Sequence, residues 1–218
     1  VGQHGIGVGR NIVLEDGAVT FTCAQDGDQT THAYPRSTDP ASGTSLTVTA
    51  VGESQHTVSS AVYTGSTGVM VVTSAGHGFS NGDYVKFDDD SLTFTCDLDN
   101  NATNHTYPRS TDRASNRWLQ ISNKTNDTFE VNVGVNTDGG THAFVTATSN
   151  GLKRQTGTLT VNVGTSSNTT THTWVSGSPN GVQFLPQSVH TFVSASSNAV
   201  SHSPQTDHEF KRADTDSI

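Results

Sequence analysis

The sequence predicts an all-β protein: tandem small β-sandwich or open-barrel modules of about 73 residues, followed by an extended β C-terminal arm. Three observations predict it. The stretch Thr20–Ser42 returns as Thr93–Ser115, offset by 73 residues without a gap and identical at 15 of 23 positions, which marks a duplicated structural unit. Apolar residues alternate with Thr at period two, as in Leu92-Thr-Phe-Thr-Cys96, the pattern of a half-buried strand. Short Thr-rich runs are separated by Gly and Asn turns, and no apolar spacing of 3.6 runs long enough for a helix.

In chain order, Gln3–Ala18 aligns with Gly76–Ser91 at the same offset, matching His4 to His77 and Gly9 to Gly82. Val19, Phe21 and Cys23 then predict a strand, as do Leu92, Phe94 and Cys96. The alignment runs on through Leu46 with Leu119, Val48 with Ile121 and Val58 with Val131. Tyr63–Thr73 predicts a hairpin turning at Gly65–Gly68, Gly78–Asp83 a turn into a strand at Tyr84–Phe87, and Thr128–Val133 a closing strand. The partner of 62–75 in the first copy would lie before Val1, so the first module is expected to be truncated at its start.

After Gly134 a shorter repeat takes over. Thr141–Ala147 recurs as Thr171–Gly177, as Val189–Ala195 and, degenerately, as Asp207–Ala213. The last two copies read as the extended arm, with too little apolar mass to stand alone and suited to adding to a neighbour's sheet edge. The expected organisation is therefore module 1 over 1–61, module 2 over 62–134, and a His-x-aromatic-Val region with a tail over 135–218.

The strongest local motif is the duplicated corner Tyr34-Pro35-Arg36-Ser-Thr-Asp39 and Tyr107-Pro108-Arg109-Ser-Thr-Asp112. Proline fixes φ and removes a donor, forcing a corner. Ser, Thr and Asp bond nearby backbone and hold the turn. Arg36 and Arg109 are expected to pair with Asp39 and Asp112 or with turn carbonyls. A ligand clamp would use the same residues, but duplication favours a structural corner, since a catalytic site needs one copy.

Ten histidines raise the question of metal. Around a three-fold axis one His per chain could form a ring, yet no His-x-His, His-x3-His or Cys-x2-Cys spacing occurs, and repeated His beside an aromatic reads as packing. Asp88–Asp90 lacks the ligand spacing of a calcium loop and reads as a solvated turn. No nucleophile elbow or phosphate loop marks any Ser, His or Asp. No catalytic residue, metal or cofactor is expected.

Apolar residues make up 31% of the 218, below the roughly 45–50% of globular domains, a figure that counts Gly as apolar. Thin β layers stabilised by neighbouring modules and subunits follow. A net charge of −9 with scattered Lys and Arg argues against nucleic acid. No apolar run spans a membrane. Cys23 and Cys96 sit at equivalent repeat positions, a module length apart, which predicts buried free thiols and a reducing compartment during assembly.

The Tyr63 hairpin, Leu92–Cys96, Asn104–Asp112, the Val-Asn-Val-Gly runs at 131–134 and 161–164 and the His-x-aromatic-Val copies together resemble the repeat regions of virion structural proteins of marine, cyanophage-like tailed phages. The resemblance covers nearly all of the chain. It implies a non-enzymatic building block of a tail, fibre or head appendage, assembled in the host cytoplasm and partnered by copies of itself and by other virion proteins. It carries over no catalytic residue. The alternative is a carbohydrate-binding adhesin module on a phage or bacterial surface. It would stack Trp118, Trp174 or the Tyr34/Tyr107 pair on host glycans.

Overall fold

Alternation of Val, Phe, Leu and Thr sets the strands, and Gly, Asn and Asp set the turns between them. The computed structural model describes residues 2–136 and 139–185. The chain is all-β, and the described residues contain strands and two short 3-10 turns. The strands are β1 (Asn11–Leu14), β2 (Val19–Cys23), β3 (Thr31–Tyr34), β4 (Leu46–His56), β5 (Ser60–Thr64), β6 (Val69–Thr73), β7 (Tyr84–Phe87) and β8 (Leu92–Cys96). They continue with β9 (His105–Tyr107), β10 (Leu119–Ser122), β11 (Thr128–Asn132), β12 (His142–Ala147), β13 (Leu152–Val161), β14 (His172–Gly177) and β15 (Val182–Leu185). The Val189 and Asp207 copies of the short repeat, and with them the expected C-terminal arm, lie outside the described residues.

The chain forms two units. Unit 1 is Val1–Arg10 with Leu46–Thr170, and unit 2 is Asn11–Ser45 with Thr171–Ile218. In unit 1 one sheet runs β4-β13-β7-β10-β11-β6-β5 and a second runs β12-β8-β9. Leu92 and Phe94 of β8 share one buried cluster with Met70 and Val72 of β6, Phe129 and Val131 of β11, and Val85 and Phe87 of β7. The expected hairpin is β5–β6, paired antiparallel from Ser60↔Thr73 to Thr64↔Val69. Gly68 closes its loop with φ +73°, and a Cβ there would meet the Gly134 carbonyl carbon at 2.5 Å, so only glycine fits.

Unit 2 pairs β1 with β15 and runs a second sheet β14-β2-β3. The two units repeat one hydrogen-bond frame. In unit 2, Gly17 N–H donates to the Pro35 carbonyl at 2.8 Å, and in unit 1 Asp90 N–H donates to the Pro108 carbonyl at 2.8 Å. Asp90 and Gly17 share the left-handed backbone this needs, at φ 60° and 75°. Ala24 donates to Thr171, as Asp97 donates to Thr141; Glu15 donates to Gly181, as Asp88 donates to Gly151.

The short repeats therefore complete the long ones. β12 pairs with β8 and β14 pairs with β2, at matching registers His142↔Cys96 and His172↔Cys23. Leu152↔Phe87 in β13–β7 matches Val182↔Leu14 in β15–β1. The pairing is nested: the later long copy takes the nearer short copy, and the earlier long copy takes the farther one.

Burial separates the sister strands. Leu92, Phe94 and Cys96 are all buried, whereas of Val19, Phe21 and Cys23 only Cys23 is, the other two being half-buried. The expected alternation of burial is present in β8 and absent from β2, whose first four residues are all half-buried. In unit 1 the hairpin β5–β6 and strand β11 supply the apolar layer against β8. Unit 2 has no equivalent of these three strands among its described residues.

Candidate functional site

In an antiparallel sheet, residues directly opposite on neighbouring strands project from the same face. In unit 1 this places His105, Phe94 and Phe144 in one row and His142 beside Cys96 in the next. Phe94 and Phe144 meet edge-to-face, with ring centroids 5.8 Å apart and planes at 78°. The hairpin closes over this face. The Tyr63 ring stands edge-on to His142 at 5.7 Å, and its hydroxyl donates to the Gly134 carbonyl at 2.7 Å. Between the two layers lies a cleft of about 660 Å³. Met70, Phe94, Cys96 and Val133 give it apolar walls, while Asp99, His105, Arg109, Asp112 and Arg113 form its polar part. Burial, with the charge of Asp112 adding, pushes the Tyr107 phenol well above its ordinary pKa.

The polar groups around the cleft are bonded to one another. Asp99 accepts from the hydroxyl of Thr103, from two backbone N–H groups at 3.2 Å, and lies 3.3 Å from His105 Nε2. The Thr103 hydroxyl chiefly holds the Asp99 carboxyl below the usual carboxylate range. The same cluster recurs in unit 2, where Asp26 bonds Thr30 and stands 3.6 Å from His32.

The predicted corner residues come together twice with nearly the same geometry. Arg109 Nε and Nη2 donate to Asp112 Oδ2 and Oδ1 at 3.2 and 3.1 Å, and the Arg109 backbone N–H donates to Oδ2 at 2.8 Å. For Arg36 and Asp39 the three distances are 3.1, 3.0 and 2.8 Å. Both preceding bonds, Tyr34–Pro35 and Tyr107–Pro108, are cis. Arg36 holds the Asp39 carboxyl below its usual range. Each carboxylate serves its own arginine and its own turn.

The two tryptophans stand differently. Trp118 is partly buried, and Lys86 Nζ lies 5.0 Å from its ring centroid, so a cation occupies one face of the indole. Trp174 is 62% exposed and lies opposite Phe21 in the β14–β2 ladder.

Residues that sequence reasoning missed are chiefly polar and inward-facing. Gln155 is fully buried; its Oε1 accepts from His4 N–H at 3.1 Å and Gly5 N–H at 2.9 Å, and its Nε2 donates to the Ile6 carbonyl at 3.1 Å. The matched histidines close matching turns: His4 Nδ1 accepts from Ile6 N–H and His77 Nδ1 from Phe79 N–H, both at 2.9 Å. The repeated His-Gly-x was the legible signal for these turns. The acidic run also serves the fold, with Asp88 3.1 Å from Lys153 and Asp89 accepting from Ser115 at 3.1 Å.

Cys96 and Cys23 are free and buried. Register sets Cys96 opposite His142, a nucleophile beside a base, as it sets Cys23 opposite His172. His142 Nδ1 is buried without a hydrogen-bond partner, so that nitrogen does not activate the thiol. Among the described residues no three His, Cys, Asp or Glu side chains are grouped to hold a metal ion. The site's geometry is that of a clasp between layers. No protein family, curated protein or solved structure matches this chain.

Proposed function

We propose that this chain is a non-enzymatic structural building block of a phage virion, of the tail, fibre or head-appendage kind. Its tandem β modules of about 73 residues associate with copies of themselves and with other virion proteins through strand and sheet contacts. One observation carries the reading: the Tyr-Pro-Arg-Ser-Thr-Asp corner is built twice, and in both copies its charged groups are bonded to each other and to their own turn. Side chains spent in this way hold the turns of a scaffold. The exposed strand β14 and the half-buried Phe21 in unit 2 are the surfaces through which such a scaffold extends.

Two measurements test it. Mass photometry and negative-stain electron microscopy of the full chain at micromolar concentration are expected to show regular oligomers; a monodisperse monomer overturns the assembly. Mass spectrometry of purified particles of a phage encoding the chain is expected to find it at the copy number of a structural component, and its absence overturns the virion assignment.

A carbohydrate-binding adhesin is the second reading, and the exposed Trp174 ring favours it. Glycan-array binding that disappears on Trp174→Ala, with assembly unchanged, would select it. Trp118 suits this role less well, because Lys86 covers one face of its ring.

A further inference from the structure

We propose that the cleft between the β12-β8-β9 sheet and the β5–β6 hairpin of unit 1 binds a neutral saccharide, one or two pyranose rings in size. The inference rests on the glycan-binding reading above and gives it a site other than Trp174. The scaffold reading does not depend on it.

The cleft has the size of a ligand site. Its volume of about 660 Å³ falls within the roughly 300–1,000 Å³ of small-molecule pockets. The lining residues run from Tyr63 to His142, all in unit 1, so both walls belong to a single unit. Two phenol rings in the lining are already fixed in place. The Tyr63 hydroxyl donates to the Gly134 carbonyl at 2.7 Å, and the Tyr107 hydroxyl to the Val133 carbonyl at 3.4 Å. Both residues are half-buried. Side chains held before a ligand arrives lose little freedom on binding it. An aromatic face takes the apolar C–H face of a pyranose, and a phenol oxygen that donates one bond still accepts another.

The charged groups select against other ligand classes. Two carboxylates, Asp99 and Asp112, and two guanidinium groups, Arg109 and Arg113, line the cleft, so their formal charges cancel. An anion meets the carboxylates, and a cation meets the arginines. A wholly apolar ligand strips water from all four charges and returns no hydrogen bond. An uncharged ligand that both donates and accepts avoids these costs, and hydroxyl groups do both. Exposed Leu98 and Val135 also line the cleft, so its occupant covers apolar surface as well. A sugar ring combines the two requirements.

The polar network keeps room for those hydroxyls. Asp112 accepts three bonds, and a carboxylate has about four acceptor sites. Among the described residues, Asp99 Oδ1 accepts from the Ala102 N–H alone, at 3.2 Å. Arg109 bonds Asp112 through Nε and Nη2, which leaves Nη1 to donate, and its side chain is 64% exposed.

The test uses the full chain and a panel of glucose, galactose, mannose, N-acetylglucosamine, maltose and lactose, read by saturation-transfer NMR. At least one of these sugars is expected to bind, and to slow hydrogen exchange in peptides covering Asp99–Asp112 and Val133–Asn136. The matching uronic acid and amino sugar are expected to bind more weakly than their neutral parent. Arg109→Ala, checked for folding by circular dichroism, is expected to weaken binding about tenfold. No bound sugar, a preference for a charged sugar, or an Arg109→Ala variant that binds like wild type overturns the cleft site. Protection confined to peptides around Trp174 overturns it too, and leaves the glycan-binding reading standing on that ring. A glycan array on which nothing binds overturns both.

Discussion

The side-chain carbonyl of Gln155 accepts the backbone N–H of Gly5 at 2.9 Å, joining residues 150 apart in sequence. With the His4 and Ile6 bonds, one amide satisfies three main-chain groups of an otherwise irregular segment. Gln155→Leu removes all three partners while keeping the volume close. An unmet buried backbone group costs about 1–3 kcal/mol, with partial access to water at the low end. We predict a loss of about 3 kcal/mol in urea unfolding and early proteolysis within residues 3–9; a loss under about 1 kcal/mol would show that water replaces the amide.

At the corner, Asp112 and Arg109 are not equal partners. Asp112 accepts both the guanidinium and the backbone N–H of Arg109, while the arginine side chain is 64% exposed. Exposed ion pairs contribute little, but a lost turn acceptor is felt. Asp112→Ala is expected to cost about 1 kcal/mol and Arg109→Ala less than half of that. Thermal melts of the two variants decide it, and the reverse order would refute the turn-holding role.

Sister phenylalanines are expected to respond unequally. Phe94 is buried in the cluster and edge-on to Phe144, so Phe94→Ala is expected to cost about 3–5 kcal/mol. Phe21 is half-buried, so Phe21→Ala is expected to cost about 1–2 kcal/mol in dilute protein and to weaken self-association more strongly. Equal losses in the monomer would mean that both faces are equally covered.

Stability is expected to fall between about pH 7 and about pH 5. Burial, with the charge of Arg154 adding, lowers the His56 pKa from its ordinary 6.5, and burial lowers that of His4. Near pH 6.5 the unfolded chain therefore binds more protons than the folded one, so the folded state is favoured fully above that pH and progressively less below it. Asp26 and Asp99, held low by Thr30 and Thr103, stay ionised through this window and add no slope there. His56→Gln is expected to flatten the decline in melting temperature; an unchanged slope would assign it to other groups.

Much of the fold was legible because period two and turn residues are local signals. Tyr84–Phe87, Leu92–Cys96, the hairpin around Gly65–Gly68 and the Arg–Asp corners all stand where alternation and turn chemistry place them. Strand partners were not legible. Nothing local distinguishes Phe144 from Trp174 as the neighbour of Phe94, since both sit in the same His-x-aromatic-Val frame. Loop closure and the whole core decide that choice, and neither is encoded in a short window. Gln155 was missed for a related reason. Alternation from Leu152 turns it to the opposite face of β13, where a glutamine reads as solvated, but the Gln3–Ile6 segment covers that face. The clasp of Tyr63 on His142 and Gly134 was likewise hidden, because it depends on two layers meeting.

The nesting of strand pairs imposes an order in time. β12 and β13 leave the ribosome before β14 and β15, so β7 and β8 gain their ladder partners while β1 and β2 still wait for theirs. Unit 1 can close on a nascent chain, and unit 2 can only close afterwards, from the outside in. During that interval Phe21 has β3 on one side and an open ladder edge on the other, and crowded copies on one messenger could exchange partners there before synthesis ends.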